Sequence, residues 1–321
     1  MQWCGGSTRP RRWLALSLLA VTLALAPGCS IRKLAINKVG NALAGTGTIL
    51  ASDDDPELIQ AAAPFGLKLM EGLLAESPKH RGLLLAVTSG FTQYGYAFVQ
   101  LEAEEIESQD LAKANAGRAR ARKLYLRARD YGLRGLEVAH PGLTNALRAS
   151  PQAALRQLKP KDVPQAYWTA AAWGAAIAQS KDDPNLVAEV PLMEALMDRA
   201  LELDERWDDG ASHSFLISYE QSRQGVKGDG AGRARRHFER AMELSGGRQA
   251  APLVAYAEAV CVQQQDLKQF EELLNRALAI DIHADPAHRL VNTVMQRRAR
   301  WLLGRKDELF LIPEKPEPKP N

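Results

Sequence analysis

The feature that most narrows the fold is a short pattern that returns. Arg199-Ala200-Leu201-Glu202-Leu203-Asp204 reappears as Arg240-Ala241-Met242-Glu243-Leu244-Ser245 and as Arg276-Ala277-Leu278-Ala279-Ile280-Asp281, at steps of 41 and 36 residues. Steps of this size belong to helical hairpins that bury their apolar faces only by stacking on their neighbours. The expected fold is all-α, a solenoid of helical hairpins. Composition agrees, since 46% of the 321 residues are hydrophobic and 25% charged, with aromatics at only 6%. That balance excludes collagen-like, wholly disordered and polytopic membrane chains.

Helical patterns run from Asp53-Asp54-Asp55-Pro56 to about Ser77-Pro78, with a kink or break expected at Pro64. Others cover Leu83 to Ser108, Leu111 to His140, Gln165 to Ser180, Leu186 to Leu203, Ala211 to Gln224, Ala231 to Leu244, Pro252 to Gln264, Leu267 to Ile280 and Pro286 to Leu303. Short, turn-rich links between them imply hairpins. In the last unit Ala257, Cys261, Phe270, Leu274 and Ala277 fall where a tetratricopeptide repeat holds small or apolar packing residues, while Glu258 and Ile282 depart from that pattern. An enlarged Gly225 to Gly232 loop would explain the longer first step.

Ala121, Leu124, Tyr125, Ala128, Tyr131, Gly132, Gly135 and Ala139 recur by threes and fours, a small-residue stripe that lets another helix approach closely. The seven basic residues from Arg118 to Arg134 lie on the rest of that helix. They read as a solvated face compensated by Glu102, Glu104, Glu105 and Glu107, with a phosphate- or lipid-binding patch as the other reading.

The N-terminus reads as a lipoprotein leader. Arg11 and Arg12 precede a 14-residue apolar run, Trp13 to Ala26, too short to span a bilayer, and Ala26-Pro27-Gly28-Cys29 resembles a bacterial lipoprotein cleavage site. Cys29 would then carry the lipid, and Ser30 after it directs such a protein to the outer membrane by the family rule. The plainer reading is a secreted chain cut near Ala26. Loss of Arg9, Arg11 and Arg12 with the leader takes the 41 basic residues to 38, matching the 38 acidic ones. A neutral chain offers no basic footprint for nucleic acid. Cys4 leaves with the leader, so Cys261 stands alone and builds neither a disulfide nor a thiolate metal site.

Chemistry-bearing patterns are scarce. The six histidines, His80, His140, His213, His237, His283 and His288, are dispersed, and no zinc-protease, phosphate-loop or nucleophile-elbow motif occurs. His283 and His288, with Asp285 between them, straddle Pro286 and read as capping or solvated groups rather than metal ligands. No enzyme, cofactor or metal is expected. Two aromatic runs are more informative: Ser89-Gly90-Phe91-Thr92-Gln93-Tyr94-Gly95-Tyr96-Ala97-Phe98-Val99-Gln100, and Ala166-Tyr167-Trp168 through Trp173-Gly174. They pack a core, or they wall a pocket or pore lined by Phe91, Gln93, Tyr94, Tyr96, Trp168 and Trp173.

Those aromatic runs, together with Asp53-Asp54-Asp55-Pro56-Glu57-Leu58, Pro64-Phe65, Leu73-Leu74-Ala75-Glu76-Ser77-Pro78, Ser180-Lys181-Asp182 and Ala195 to Asp204, resemble the T component of TRAP transporters over roughly Cys29 to Arg305. The resemblance implies a tetratricopeptide-like periplasmic lipoprotein of the TatT family, lipid-anchored on the periplasmic side of the outer membrane. It further implies a non-enzymatic partner of the periplasmic substrate-binding protein of a tripartite, ATP-independent transporter for organic acids or other small ligands, relaying a small apolar or carboxylate ligand through a pore. Trimers with a pore through each subunit are implied too. The expected layout is a signal peptide over 1–28, a lipidated tether over 29–52, a helical domain over 53–312 and a disordered tail over 313–321. The alternative function is a scaffold for envelope or outer-membrane protein assembly with no small ligand.

Overall fold

The computed structural model describes residues 29–311; the leader expected over 1–28 and the tail expected over 313–321 lie outside the described residues. Among the described residues the fold is all-α, with no strand. Its main helices are α1 (Cys29–Ala44), α2 (Pro56–Glu76), α3 (Arg81–Gly95), α4 (Leu111–Ala139), α5 (Val163–Ala178), α6 (Val190–Leu203), α7 (Ala211–Tyr219), α8 (Gly230–Leu244), α9 (Ala251–Tyr256), α10 (Leu267–Leu278) and α11 (Arg289–Gly304). The stretch read as a tether is thus helical, in α1 and a short helix at Gly47–Ala51. α1 is docked, with Ser77 Oγ donating to Asn37 Oδ1 at 2.9 Å.

Aspartates cap four of these helices. The carboxylates of Asp55, Asp110, Asp229 and Asp266 each accept a backbone N–H from the first turn of α2, α4, α8 and α10, which satisfies donors the helix itself cannot pair. Pro64 does not break α2. The missing N–H is one rung in a 21-residue helix whose inner face, Ile59, Leu67, Met70 and Leu74, is buried. α3 and α9 each run on through a five-residue π turn, Tyr96–Gln100 and Ala257–Cys261, into the short helices Leu101–Glu105 and Val262–Gln264.

α4 presents bare backbone to side chains of α5. A Cβ at Gly132 would lie 2.3 Å from Thr169 Oγ1, and one at Gly135 would lie 2.6 Å from the Gln165 amide carbon, so only glycine permits this approach. The recurring pattern marks equivalent joints, because Ala200, Ala241 and Ala277 near the ends of α6, α8 and α10 are all fully buried. The longer step between the first two is taken up before α8. There Gly225 and Gly228 have φ of 74° and 84°, and Arg233 holds the loop by donating to Gly228 O at 2.6 Å and Glu220 O at 2.9 Å.

Two apolar cores result. The first gathers Leu74, Leu83, Leu84, Val87, Phe91, Tyr125, Trp173, Met193 and Leu196; the second gathers Ile217, Leu253, Phe270, Leu274 and Leu302, and draws in Leu101 from the extension of α3. The helices do not pack only on their successors along the chain. α11 returns to α2 and to the Gly47–Ala51 helix, and Arg289 donates to Ser52 O at 2.9 Å. The body is closed and globular where an open row of hairpins would leave its ends apart.

A buried histidine pair ties α7 to α8. The Nδ1 atoms of His213 and His237 lie 2.8 Å apart, among Glu205, Glu220, Arg223, Arg236 and Arg240. Burial pushes His237 down to about 4, with the charge of His213 as second cause, and burial lowers His213 as well.

Two outcomes are expected. Gly132→Leu should destabilise the chain by about 1–3 kcal/mol or more through overpacking, whereas Gly66→Ala, which meets open space, should stabilise by about 0.5–1 kcal/mol; urea midpoints compare the two. Because the folded His237 takes up its proton only near pH 4 while the unfolded one does so near 6.5, stability should fall as pH drops through that window. The loss attributable to His237 is about 2 kcal/mol between pH 7 and 5. His237→Gln should flatten this slope; an unchanged slope would show that the pair does not titrate as its burial demands.

Candidate functional site

The two π turns come together at one place. Each adds a residue to a helical turn, which swings the side chains that follow out of the α-helical register, and such turns recur at functional sites. One presents Tyr96 and Gln100, the other Glu258, and α11 supplies Arg298 between them. Arg298 is buried, its side chain 4% exposed, and its guanidinium pairs with Glu104 at 2.7 Å and closely with Glu258. The guanidinium lies 4.2 Å from the centre of the Trp301 ring. Gln100 donates to Glu104 at 2.9 Å and accepts from the Tyr125 hydroxyl at 2.6 Å. A continuous polar chain therefore runs from the first core through Gln100, Glu104 and Arg298 to Glu258 beside the second.

The electrostatics follow from this burial. Desolvation raises the Glu104 carboxyl above its ordinary range, and Arg298 pulls it back only in part. Arg298 Nη1 is buried with no hydrogen-bond partner among the described residues. The Tyr96 phenol is raised well above its usual pKa, first by desolvation and then by the Glu258 carboxylate, yet Tyr96 keeps 39% of its surface accessible. Tyr96 therefore stands beside the buried triad with part of its surface open to solvent.

Tyr167 has the same signature. It is half-buried, and its phenol is raised by desolvation and then by Asp208. Its ring packs between Trp168, edge-on at 5.0 Å, and Trp207, tilted at 4.9 Å. Asp208 is itself raised by desolvation, with His288 opposing. Near it, donor atoms of Asp209, Asp285 and His288 lie within 4.8 Å of one another. His288 is already satisfied there, by Asp285 at 3.1 Å and Gln249 at 2.8 Å, and Arg248 stands 3.6 Å from both Asp209 and Asp285. That network is internally compensated, and His283 is not in it.

The residues proposed from sequence as a lining do not form one set. Phe91, Tyr94 and Trp173 are buried in the first core; Trp173 Nε1 donates to Glu189 at 2.9 Å. Gln93 is exposed. Tyr96, beside Arg298, and Trp168, against Tyr167, keep accessible surface. Missed from sequence were Glu104, Glu258, Arg298, Tyr167, Trp207 and Asp208. Glu258 left a trace, a charge where the repeat pattern calls for a small residue. Arg298 left none, since it is one of several arginines on α11. Cys261 is fully buried and its thiol is pushed up to about 12 by desolvation, so it is an inert packing residue.

The family model described as TRAP transporter T-component matches residues 52–310. An uncharacterized protein of Treponema pallidum (strain Nichols) is 30% identical over 305 residues, covering 89% of this chain and 94% of that protein. Members of the family are periplasmic, lipid-anchored accessory proteins without catalytic activity. The chain belongs to the TRAP transporter T-component family, and is a non-catalytic periplasmic accessory of TRAP-type transport.

Proposed function

We propose that the chain is an adaptor that binds the periplasmic substrate-binding protein of its transporter and relays a small organic ligand through its own interior. The carrying observation is the polar junction between the two cores, Glu104, Arg298 and Glu258, with the partly accessible Tyr96 beside it, together with the partly accessible aromatic group Tyr167, Trp168 and Trp207 on the first core. Aromatic walls with few polar groups suit a ligand with an apolar body. The free Nη1 of Arg298 and the Tyr96 hydroxyl are the donors that would meet its polar end. Glu104 and Glu258 flank that point, so an ionised carboxylate enters only against their charge; an apolar or neutral ligand fits best.

In this reading the leader over 1–28 is removed and Cys29 is acylated, holding the body at the inner face of the outer membrane. Residues 53–312 form tetratricopeptide-like hairpins curled until α11 meets the N-terminal segment. Copies of the chain assemble as an oligomer, a trimer by family resemblance.

The test is mass spectrometry of solvent extracts from the purified protein, beside a pull-down of its partners. Tyr96→Ala with Trp168→Ala should lower ligand load about fivefold or more, since the two aromatic contacts are worth about 1 kcal/mol together at the low end, with helicity and partner capture unchanged. Trp173→Ala serves as the contrast, because emptying a core site costs about 3–5 kcal/mol of stability. Unaltered ligand load in the double variant would remove the relay. Copurification with an outer-membrane assembly machine and no substrate-binding protein would favour the scaffold instead.

A further inference from the structure

The outer side of α2 carries an apolar face that nothing in the described residues covers. Phe65 is 76% exposed and Leu69 43% exposed, and Gly66 and Gly72 beside them meet open space. α2 is the one described helix long and apolar enough, by length and composition, to cross a membrane, and only a small part of it is buried. Next to this face lies a groove of about 530 Å³ lined by Lys123, Leu126, Arg127, Asp130, Tyr131 and Arg134 of α4. The aromatic floor is the Phe91–Tyr131 stack, with Arg127 over Phe91 at 5.3 Å.

The compensation expected for these cations does not reach them. Glu102 accepts from Gln60, Glu104 and Glu105 turn to Arg298 and Arg297, and only Glu107 pairs with this helix, at Arg118. Arg122 and Arg129 are neutralised by Asp183 and Glu189 from elsewhere. Lys123 has no ion pair among the described residues. Arg127 shares the single carboxylate of Glu71 with Lys68. Asp130, the one acid in the groove, is taken by Arg129. The groove and its rim keep a positive surplus alongside exposed aromatic and aliphatic surface.

The tether leads to this side. Ser77, one residue past α2, bonds to Asn37 of α1, and Cys29 is eight residues before Asn37 on the same helix, about 12 Å at a rise of 1.5 Å per residue. We propose that the side formed by the C-terminal two thirds of α2 and the α4 groove seats the body on an anionic phospholipid surface, with Phe65 and Leu69 entering the interface and Lys68, Lys123 and Arg127 meeting headgroup phosphates. The acidic start of α2, Asp53 to Glu57, points this contact away from Leu58. Two weak signals, an acyl anchor and a basic apolar patch, combine into stable seating. The inference rests on acylation of Cys29 only for bringing the surface near.

The test therefore uses the mature chain with Cys29→Ser, sedimented with phosphatidylethanolamine–phosphatidylglycerol vesicles and with phosphatidylcholine vesicles. Binding should need phosphatidylglycerol and weaken with salt. It should fall about tenfold or more in Phe65→Glu, and about thirtyfold in Lys123→Ala with Arg127→Ala, the loss of about 1 kcal/mol for each of two charges near a bilayer, both with unchanged circular dichroism. Absent binding, equal binding to both vesicles, or binding indifferent to these substitutions overturns the proposal. So does a Phe65→Glu chain that loses self-association in the ultracentrifuge while holding vesicles as before, which would make the face a contact between copies. The mass of the natural protein reports acylation separately, so failure of the anchor and failure of the seating are told apart.

Discussion

Arg298 is the residue on which the two halves of the molecule depend. It projects from the last long helix into the gap between the cores, where Glu104 reaches it from the extension of α3 and Glu258 from the π turn after α9. A buried guanidinium is costly unless its charge is met. Here the two carboxylates that meet it come from opposite halves of the chain, so satisfying one cation brings together elements far apart in sequence. Leu101, Ala97 and Leu290 pack around the junction and supply the apolar contact that the ion triad orients. As in other buried ionic groups, such a triad specifies an arrangement more than it adds net stability.

The same junction gives the interior its chemistry. An α-helix packed along its whole length would turn Tyr96 and Glu258 toward neighbouring helices. The π turns instead hold Tyr96 partly exposed beside Arg298 and Glu258. The site and the closure of the fold are therefore one construction. A ligand passing Tyr96 would meet groups whose positions are set by how α11 docks, and docking of α11 in turn brings Arg289 to Ser52.

Much of the fold was legible because its causes are local. Asp55 before Pro56 and Asp110 before Leu111 announce helix starts, and the capping bonds are made. The small-residue stripe with Gly132 and Gly135 forecast the close approach of another helix to α4 from spacing alone, but not that the helix is α5. The six-residue pattern located three equivalent joints. Pro64 misled because its penalty is local while the burial of Ile59, Leu67, Met70 and Leu74 is collective. The site was legible only where its residues were aromatic. Tyr96 and Trp168 stand out in composition, but Arg298 pairs with a carboxylate 194 positions away, and nothing within one helical turn of an arginine encodes such a partner. The acidic run before α4 misled for the same reason, since Glu104 and Glu105 answer cations on α11 rather than those nearest in sequence.

The most direct measurement is the unfolding free energy of variants in the triad. Arg298→Met should cost about 2–3 kcal/mol, below the ~3–5 of a fully buried pair, because the Glu104 and Glu258 side chains keep 24% and 37% exposure and can turn to water. Glu104→Gln with Glu258→Gln should cost more than Arg298→Met, since it strands a buried charge, and the triple variant should recover most of the loss. Single and double variants all within about 0.5 kcal/mol of the natural chain, the range of ordinary surface substitutions, would contradict the account.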